Sequence, residues 1–190
     1  MSWSSLQNPD KQVILAALLA EQHNVCVYCG KRITTDFGSS HIEHFRPQSV
    51  HENRRFDWKN LFASCGPTGL RNMPRICGDY KENWDPVGHV EPTDPLCEKK
   101  FEYDGNGEIW PAAIGDDHAK IMIDKLNLGE QSLCYERFLI VAEIEDRIND
   151  GTIDATNQAA EIALWRRVDA NGVAISYGHV AARYLEDQVL

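Results

Sequence analysis

The stretch His41-Ile42-Glu43-His44-Phe45-Arg46-Pro47 decides how the rest of the chain is organised. It places a carboxylate directly beside a histidine, at the start of a turn marked by arginine and proline. Glu43 can hold a divalent cation through its oxygens, and His44 titrates near neutrality and can take a proton from water. Two pairs of cysteines surround the stretch, one on each side: Cys26, Cys29, Cys65 and Cys77. This arrangement predicts a metal-dependent phosphodiesterase centre inside a zinc-stapled frame.

Length and composition are those of an ordinary globular protein. The chain has 190 residues, of which 43% are hydrophobic and 25% are charged, so it can bury a real core. No stretch approaches the roughly 18 apolar residues that a membrane span needs. The N-terminus lacks the basic region and the cleavage site of a signal peptide. We therefore expect no membrane association and a cytoplasmic location, where six cysteines indicate metal binding rather than disulfides.

The net charge of −10 argues at first against a nucleic-acid partner, but the charge is unevenly distributed. Residues 26–81 carry nine lysines and arginines against five acids, a surplus of four positive charges, so the remainder carries −14. A basic module on an acidic body can still bind phosphates, because salt screens the body's repulsion beyond about 10 Å. The acidity predicts weak affinity for DNA alone and favours a partner that brings the nucleic acid.

The four cysteines around the central stretch predict a tetrahedral thiolate zinc site. Cys26 and Cys29 have the spacing of a zinc knuckle, with Gly30 for its tight turn, whereas eleven residues separate Cys65 from Cys77. The alternative is four buried free thiols. An insertion of this length does not prevent coordination, because the entropy of loop closure grows only logarithmically with length. Two further cysteines are expected to be ordinary thiols: Cys97 and Cys134.

The pattern of apolar, glycine and proline residues predicts mixed α and β structure. We expect a helix from Asp10 to about Gln22, a short strand over 41–45, and a helix from Cys77 to about Asn83. Alternating apolar residues on both sides of Asp104-Gly105-Asn106-Gly107 predict a β-hairpin over 101–110. Four helices are expected after it, over about 117–128, 131–149, 154–169 and 176–188. Residues 1–9 are expected to be a flexible lead-in.

These elements divide the chain into four expected regions. An N-terminal helix occupies 1–24, the metal-binding module 25–85, a proline-rich linker with the hairpin 86–115, and a helical region 116–190. We find no internal repeat and no low-complexity segment.

Two further segments widen the pattern into that of a known family. Asp57-Trp58-Lys59-Asn60-Leu61 and Cys77-Gly78-Asp79-Tyr80-Lys81, together with the Glu-His pair, resemble the HNH endonuclease signature over residues 26–81. The similarity extends further when Ile42 to Pro47 and the segments downstream to about residue 150 are included. Over this range the chain resembles the PtuB family of the Septu and retron-associated antiphage systems. The resemblance implies an α+β fold, a small zinc-stapled ββα-metal (HNH) module with a mainly helical extension. It also implies a DNA endonuclease held in a hetero-oligomer with an ABC-type ATPase partner, PtuA.

The resemblance assigns roles to four residues of the candidate active site. His44 is the general base, and Glu43 holds the catalytic cation, Mg²⁺ or Mn²⁺. Asn60 matches the central asparagine that holds the loop and orients the base, although it is also a common turn-former. The sequence departs from the family at Gly78, where histidine or asparagine is usual and no ligand atom is available. Asp79 is the expected substitute, or else a helix cap.

Cations near the Glu-His pair are expected to contact nucleic-acid phosphates, unless they are merely solvated: Arg46, Arg54, Arg55 and Lys81. His41 is either a second ligand or a strand-surface residue, and the sequence favours the latter. Asn83 is a weaker candidate ligand than Asp79. Two other functions stay open. Gly78 makes a non-catalytic zinc module that binds nucleic acid or protein credible, and a stand-alone nicking nuclease would need no ATPase.

Overall fold

A computed structural model describes residues 3–66 and 73–190. Within these ranges the chain forms six α-helices and two antiparallel two-stranded sheets, so the expected mixture of helices and small sheets is confirmed. The strands are β1 (Ser40–His44), β2 (Leu61–Cys65), β3 (Phe101–Tyr103) and β4 (Ile109–Pro111). The helices are α1 (Asp10–Glu21), α2 (Cys77–Lys81), α3 (Asp117–Lys125), α4 (Gln131–Asn149), α5 (Gln158–Trp165) and α6 (Gly178–Glu186). No helix in the described ranges combines the length and apolar character needed to cross a bilayer.

The sheet of β1 and β2 carries the central stretch of the sequence. Glu43 pairs with Phe62 and His44 with Leu61, while Phe45 leaves β1 and packs edge-on against Phe62. Because neighbouring strand residues point to opposite faces, the Glu43 and His44 side chains leave the sheet in opposite directions. The register therefore decides which part of the protein each of these two groups meets.

Helix α1 covers the outer edge of this sheet. The Gln22 side chain accepts a hydrogen bond from the Ala63 amide at 2.7 Å and donates one to the Ala63 carbonyl at 2.8 Å. An unpaired edge strand exposes such backbone groups, and the glutamine satisfies them in place of a third strand. Leu18 and Leu19 of α1 are buried in the same core. The two-stranded sheet thus gains the packing that an isolated hairpin lacks.

Helix α2 is shorter than expected and packs against β2. It begins at Cys77, whose φ is +55°, and it ends at Lys81, because Glu82 leaves helical geometry with a positive φ of +50°. The Cys77 amide donates to the Leu126 carbonyl at 2.8 Å, which joins the start of α2 to the end of α3. The preceding loop lies partly outside the described residues.

The hairpin over 101–110 is confirmed as β3 and β4, and it packs against α4. Gly107 needs its glycine, because its φ is +73° and a Cβ there would approach the Phe138 backbone nitrogen to 2.3 Å. The buried Arg137 guanidinium donates to the Gly107 carbonyl at 2.7 Å and to the Leu128 carbonyl at 2.9 Å. The first contact binds the hairpin to α4, and the second holds the connection between α3 and α4.

The expected flexible lead-in is wrong for the part that the structure describes. Trp3–Ser5 forms a turn of 3-10 helix, and the Trp3 ring packs edge-on against the His44 ring, with centroids 4.6 Å apart. The same indole lies 5.7 Å from the Phe56 ring. Burial of a large aromatic surface explains the order of this segment, which its polar composition concealed.

Candidate functional site

The four cysteines that flank the central stretch come together in the structure. Their sulfur atoms all lie within 4.8 Å of one another, all four side chains are buried, and the Cys29 and Cys65 sulfurs are 3.6 Å apart. A tetrahedral zinc ion with Zn–S distances of about 2.3 Å needs sulfurs roughly 3.8 Å apart. The cluster therefore fits a structural metal such as zinc, whereas Cys97 and Cys134 lie outside it.

Local backbone geometry forms the two halves of this cluster. The Gly30 amide donates to the Cys26 carbonyl at 2.9 Å, and the Cys65 amide points at the Cys26 sulfur at 3.3 Å. Gly30 has a φ of +72°, and the His179 ring occupies the space where its side chain would lie. Burial and the neighbouring sulfurs raise the pKa of the Cys77 thiol well above its usual range. A bound cation would reverse this preference, because zinc binds the thiolate form.

Glu43 lies beneath α2 with its two carboxylate oxygens in different surroundings. Tyr28 donates its hydroxyl to Oε1 at 3.1 Å, and the buried Lys81 amine lies 2.8 Å from the same oxygen. Oε2 faces His41 instead, with its Nε2 at 3.7 Å. Burial raises the pKa of the Glu43 carboxyl, but the His41 imidazole and the Lys81 amine outweigh it and lower the pKa overall. Glu43, only 6% exposed, is therefore an ionised carboxylate with one oxygen held by two donors.

Gly78 lies directly against this carboxylate. A Cβ at Gly78 would stand 2.7 Å from Glu43 Oε2 and 2.9 Å from His41 Nε2. The glycine thus leaves room for both side chains at the position where the HNH resemblance expects a ligand. Asp79, the expected substitute, has its carboxylate 3.3 Å from Arg75 Nε, and its Cβ lies 3.1 Å from the point where a Gly66 Cβ would stand.

His44 projects from the opposite face of β1 toward the loop over 46–59. Its Nε2 lies 3.0 Å from the Arg55 carbonyl. A carbonyl can only accept, so Nε2 carries the proton and Nδ1 is left as the basic nitrogen of the neutral ring. Burial lowers the pKa of the His44 imidazole below its usual value, although the Arg55 carbonyl opposes the shift. The ring is accordingly neutral at pH 7 and can accept a proton.

Asn60 connects that loop to the end of β1. The side chain is fully buried; its oxygen accepts from the Arg46 amide at 2.8 Å, and its nitrogen donates to the Arg46 and Arg54 carbonyls at 3.0 and 3.1 Å. Arg54 directly precedes Arg55, whose carbonyl lies 3.0 Å from His44 Nε2. Asn60 therefore holds the loop backbone that includes the carbonyl bonded to His44.

Replacing Asn60 with aspartate tests these side-chain hydrogen bonds, because aspartate has almost the same size and shape as asparagine. Asn60→Asp has no donor for the two carbonyls and places a negative charge against them, so we expect a loss of roughly 1–3 kcal/mol of unfolding free energy or more. Urea denaturation of the zinc-loaded protein measures it. The matched control is Asn53→Asp on the same loop, where the side chain is exposed and the stability should stay within about 0.5 kcal/mol. Equal stability of the two variants would contradict the assignment.

The four cations expected to contact phosphate all have carboxylate neighbours in the protein. Arg46 pairs with Glu91 at 2.7 Å, Arg54 with Asp57 at 2.9 Å, and Arg55 with Glu52 at 3.5 Å. These arginines remain at least 20% exposed and can exchange partners. Lys81 differs, because its side chain is fully buried against Glu43. A phosphate contact does not fit this position, and the lysine instead balances the charge of Glu43.

The sequence left His41 open as a second ligand but favoured a strand-surface residue. The signal that could have found it is its spacing of two from Glu43 on one strand, which places both side chains on the same face. Asn83, the weaker candidate ligand, accepts a hydrogen bond from the Ser49 hydroxyl at 3.1 Å and lies beyond the end of α2.

The site therefore combines a four-thiol cluster that could hold a structural metal with a buried Glu-His pair. No protein-family profile matches the chain. Over 134 residues the chain is 30% identical to a Vibrio cholerae (serotype O1 biovar El Tor) protein described as "Retron Vc95 putative HNH endonuclease". The alignment covers 67% of this chain and 62% of that protein, so the chain spans somewhat less than two thirds of its relative. The similarity supports an HNH endonuclease.

Proposed function

We propose that the protein is a metal-dependent HNH endonuclease that cleaves DNA phosphodiester bonds. The observation that carries the proposal is the Glu43-His44 pair at the end of β1. One side chain faces α2 and the other faces the loop that Asn60 holds. The four-thiol frame supports the strand and helix on either side of this pair. We infer that β1, β2 and α2 form the two strands and one helix of a ββα-metal module.

The buried carboxylate offers an oxygen to a divalent cation. Glu43 Oε2 is free of the two donors that hold Oε1, and it lies 3.7 Å from His41 Nε2. Mg²⁺ and Mn²⁺ bind such oxygens and keep several waters. When bound, the cation supplies positive charge for the scissile phosphate and the leaving oxygen. Tyr28 and Lys81 keep the carboxylate oriented and ionised.

His44 acts as the general base. Its Nε2 proton is held by the Arg55 carbonyl, so Nδ1 takes the proton from the attacking water. The lowered pKa of the imidazole keeps it unprotonated at neutral pH. Asn60 fixes the loop backbone, and Arg46, Arg54 and Arg55 offer partly exposed guanidinium groups to the DNA backbone.

We also propose that the nuclease works in the cytoplasm as part of an antiphage complex with an ABC-type ATPase. The retron context in the relative's name supports this setting. Exposed aromatic and aliphatic side chains on α4, Tyr135, Phe138 and Leu139, offer an apolar surface for a partner. The acidic remainder of the chain also favours a partner that brings the DNA, as opposed to stand-alone nicking.

Cleavage of supercoiled plasmid by the zinc-loaded protein tests the nuclease. We expect cleavage only after Mg²⁺ or Mn²⁺ is added, and a reduction of at least about ten-fold for Glu43→Gln, because the oxygens that hold the cation are then neutral. Omitting the cation, rather than adding a chelator, leaves the thiolate zinc in place. The control is Glu102→Gln, an exposed glutamate on β3.

A second variant separates lost chemistry from lost folding. Glu43→Gln leaves the buried Lys81 amine without a counter-charge, which can cost about 3–5 kcal/mol. The double variant Glu43→Gln, Lys81→Met removes both charges. Its melting temperature should be closer to that of the native protein than the melting temperature of Glu43→Gln is, and it should remain inactive. Undiminished, cation-dependent cleavage by this double variant would refute the proposed site. A native protein that binds DNA without cutting it would favour the non-catalytic zinc module.

A further inference from the structure

The space beside Gly78 is filled by a histidine from the neighbouring strand. His41 Nε2 lies 2.9 Å from the point where a Gly78 Cβ would stand, and 3.7 Å from Glu43 Oε2. His41 and Glu43 project from the same face of β1, and α2 packs over them. The imidazole therefore lies where a side chain of the helix would otherwise reach the carboxylate.

The separation of the two atoms is that of a pair of ligands rather than a hydrogen bond. At 3.7 Å, Nε2 and Oε2 are too far apart for a direct hydrogen bond, whose donor and acceptor lie about 2.7–3.2 Å apart. The gap can be bridged by one ion with ligand distances of about 2.0–2.2 Å to each.

The other nitrogen of the ring is unusual as well. His41 Nδ1 is buried and has no hydrogen-bond partner within the described ranges. A buried polar atom without a partner costs roughly 1–3 kcal/mol. This cost is the same whether Nε2 binds a cation or not, so the ligand role of His41 rests on Nε2 alone. A Cβ built on Gly66 would stand 3.1 Å from both the His41 ring and the Asp79 Cβ.

We propose that His41 and Glu43 together hold the divalent cation, with His41 supplying the ligand that Gly78 cannot. The proposal rests on the nuclease function above and extends it to the ligand set. Lys81 already balances the charge of Glu43, so a bound cation leaves surplus positive charge for a phosphate. A nitrogen ligand also favours a transition metal, so Mn²⁺ should bind more tightly than Mg²⁺.

Titration of the zinc-loaded protein with Mn²⁺, followed by electron paramagnetic resonance of the free ion, tests this assignment without any nuclease assay. We expect one Mn²⁺ site in the native protein and a Kd at least about ten-fold higher for His41→Ala. The control is His51→Ala, a histidine of similar burial that pairs with Asp85 at 2.6 Å; its Kd for Mn²⁺ should not change. His41→Asp should recover the Mn²⁺ affinity that His41→Ala loses, and it should have a smaller ratio of Mn²⁺ to Mg²⁺ affinity than the native protein. A merely structural role for His41 would produce neither change.

Each outcome is informative. Equal Mn²⁺ affinity of native protein and His41→Ala, or no Mn²⁺ site in the native protein, would overturn the assignment of His41. Cation-dependent plasmid cleavage that requires Glu43 would then leave the nuclease standing with another ligand set. Mn²⁺ binding that depends on His41, in a protein that cuts no DNA, would confirm the ligand and refute the nuclease.

Discussion

Cys77→Ser should lose its zinc and most of its stability, the largest effect expected of any single substitution in this chain. Structural zinc contributes about 10–16 kcal/mol at neutral pH, whereas a whole domain is stable by only about 5–15 kcal/mol. Cys77 is fully buried and also begins α2, and its amide holds the end of α3. Loss of the metal therefore frees both helices from the sheet. Elemental analysis gives the zinc content, and circular dichroism gives the thermal transition.

The control for this substitution is Cys134→Ser. Cys134 is only partly buried, lies outside the cluster and donates to the Gly129 carbonyl, a contact that serine can also make. This variant should keep one zinc per chain and melt within a few degrees of the native protein. A Cys77→Ser protein with full zinc content and the native transition would show that the four thiols do not form a metal site.

His44→Ala should lower the rate of plasmid cleavage by about 10²–10⁴-fold, the range that general bases contribute. The physical reason is the arrangement of its two nitrogens, since the Arg55 carbonyl holds the Nε2 proton and leaves Nδ1 to accept another. Single-turnover cleavage with Mn²⁺ in excess measures the effect. Mn²⁺ affinity should be unchanged, because His44 is not one of the two residues proposed to bind the cation.

The control variant for His44→Ala is His118→Ala. His118 is exposed, lies far along the chain from the candidate site, and has its Nδ1 3.2 Å from His89 Nδ1. It should cleave at the native rate. Because His44 also contacts Trp3, the thermal transition of His44→Ala should be recorded alongside its activity. Native-like cleavage by a folded His44→Ala protein would remove the imidazole from the mechanism.

The elements with strong local signals were predicted well. Helix α4 spans Gln131–Asn149 as expected, because Glu130 caps its first turn by accepting from the Ser132 amide and Gly151 follows its end with a φ of +78°. The hairpin followed from its Asp-Gly-Asn-Gly turn. The last two helices are shorter than expected at both ends, since their periodic apolar residues continue past the hydrogen-bonded turns.

Spacing along the chain was thus enough to indicate the four thiols, the acid-base pair and the asparagine beside them. It could not indicate that Lys81 is buried against Glu43, that Trp3 returns to cover His44, or that His41 occupies the space Gly78 leaves open. Each of these depends on the direction in which a side chain leaves one segment and on what a distant segment brings to meet it. That direction follows from strand register and helix packing, which arise from burial over the whole core, so residue identity alone does not reveal it.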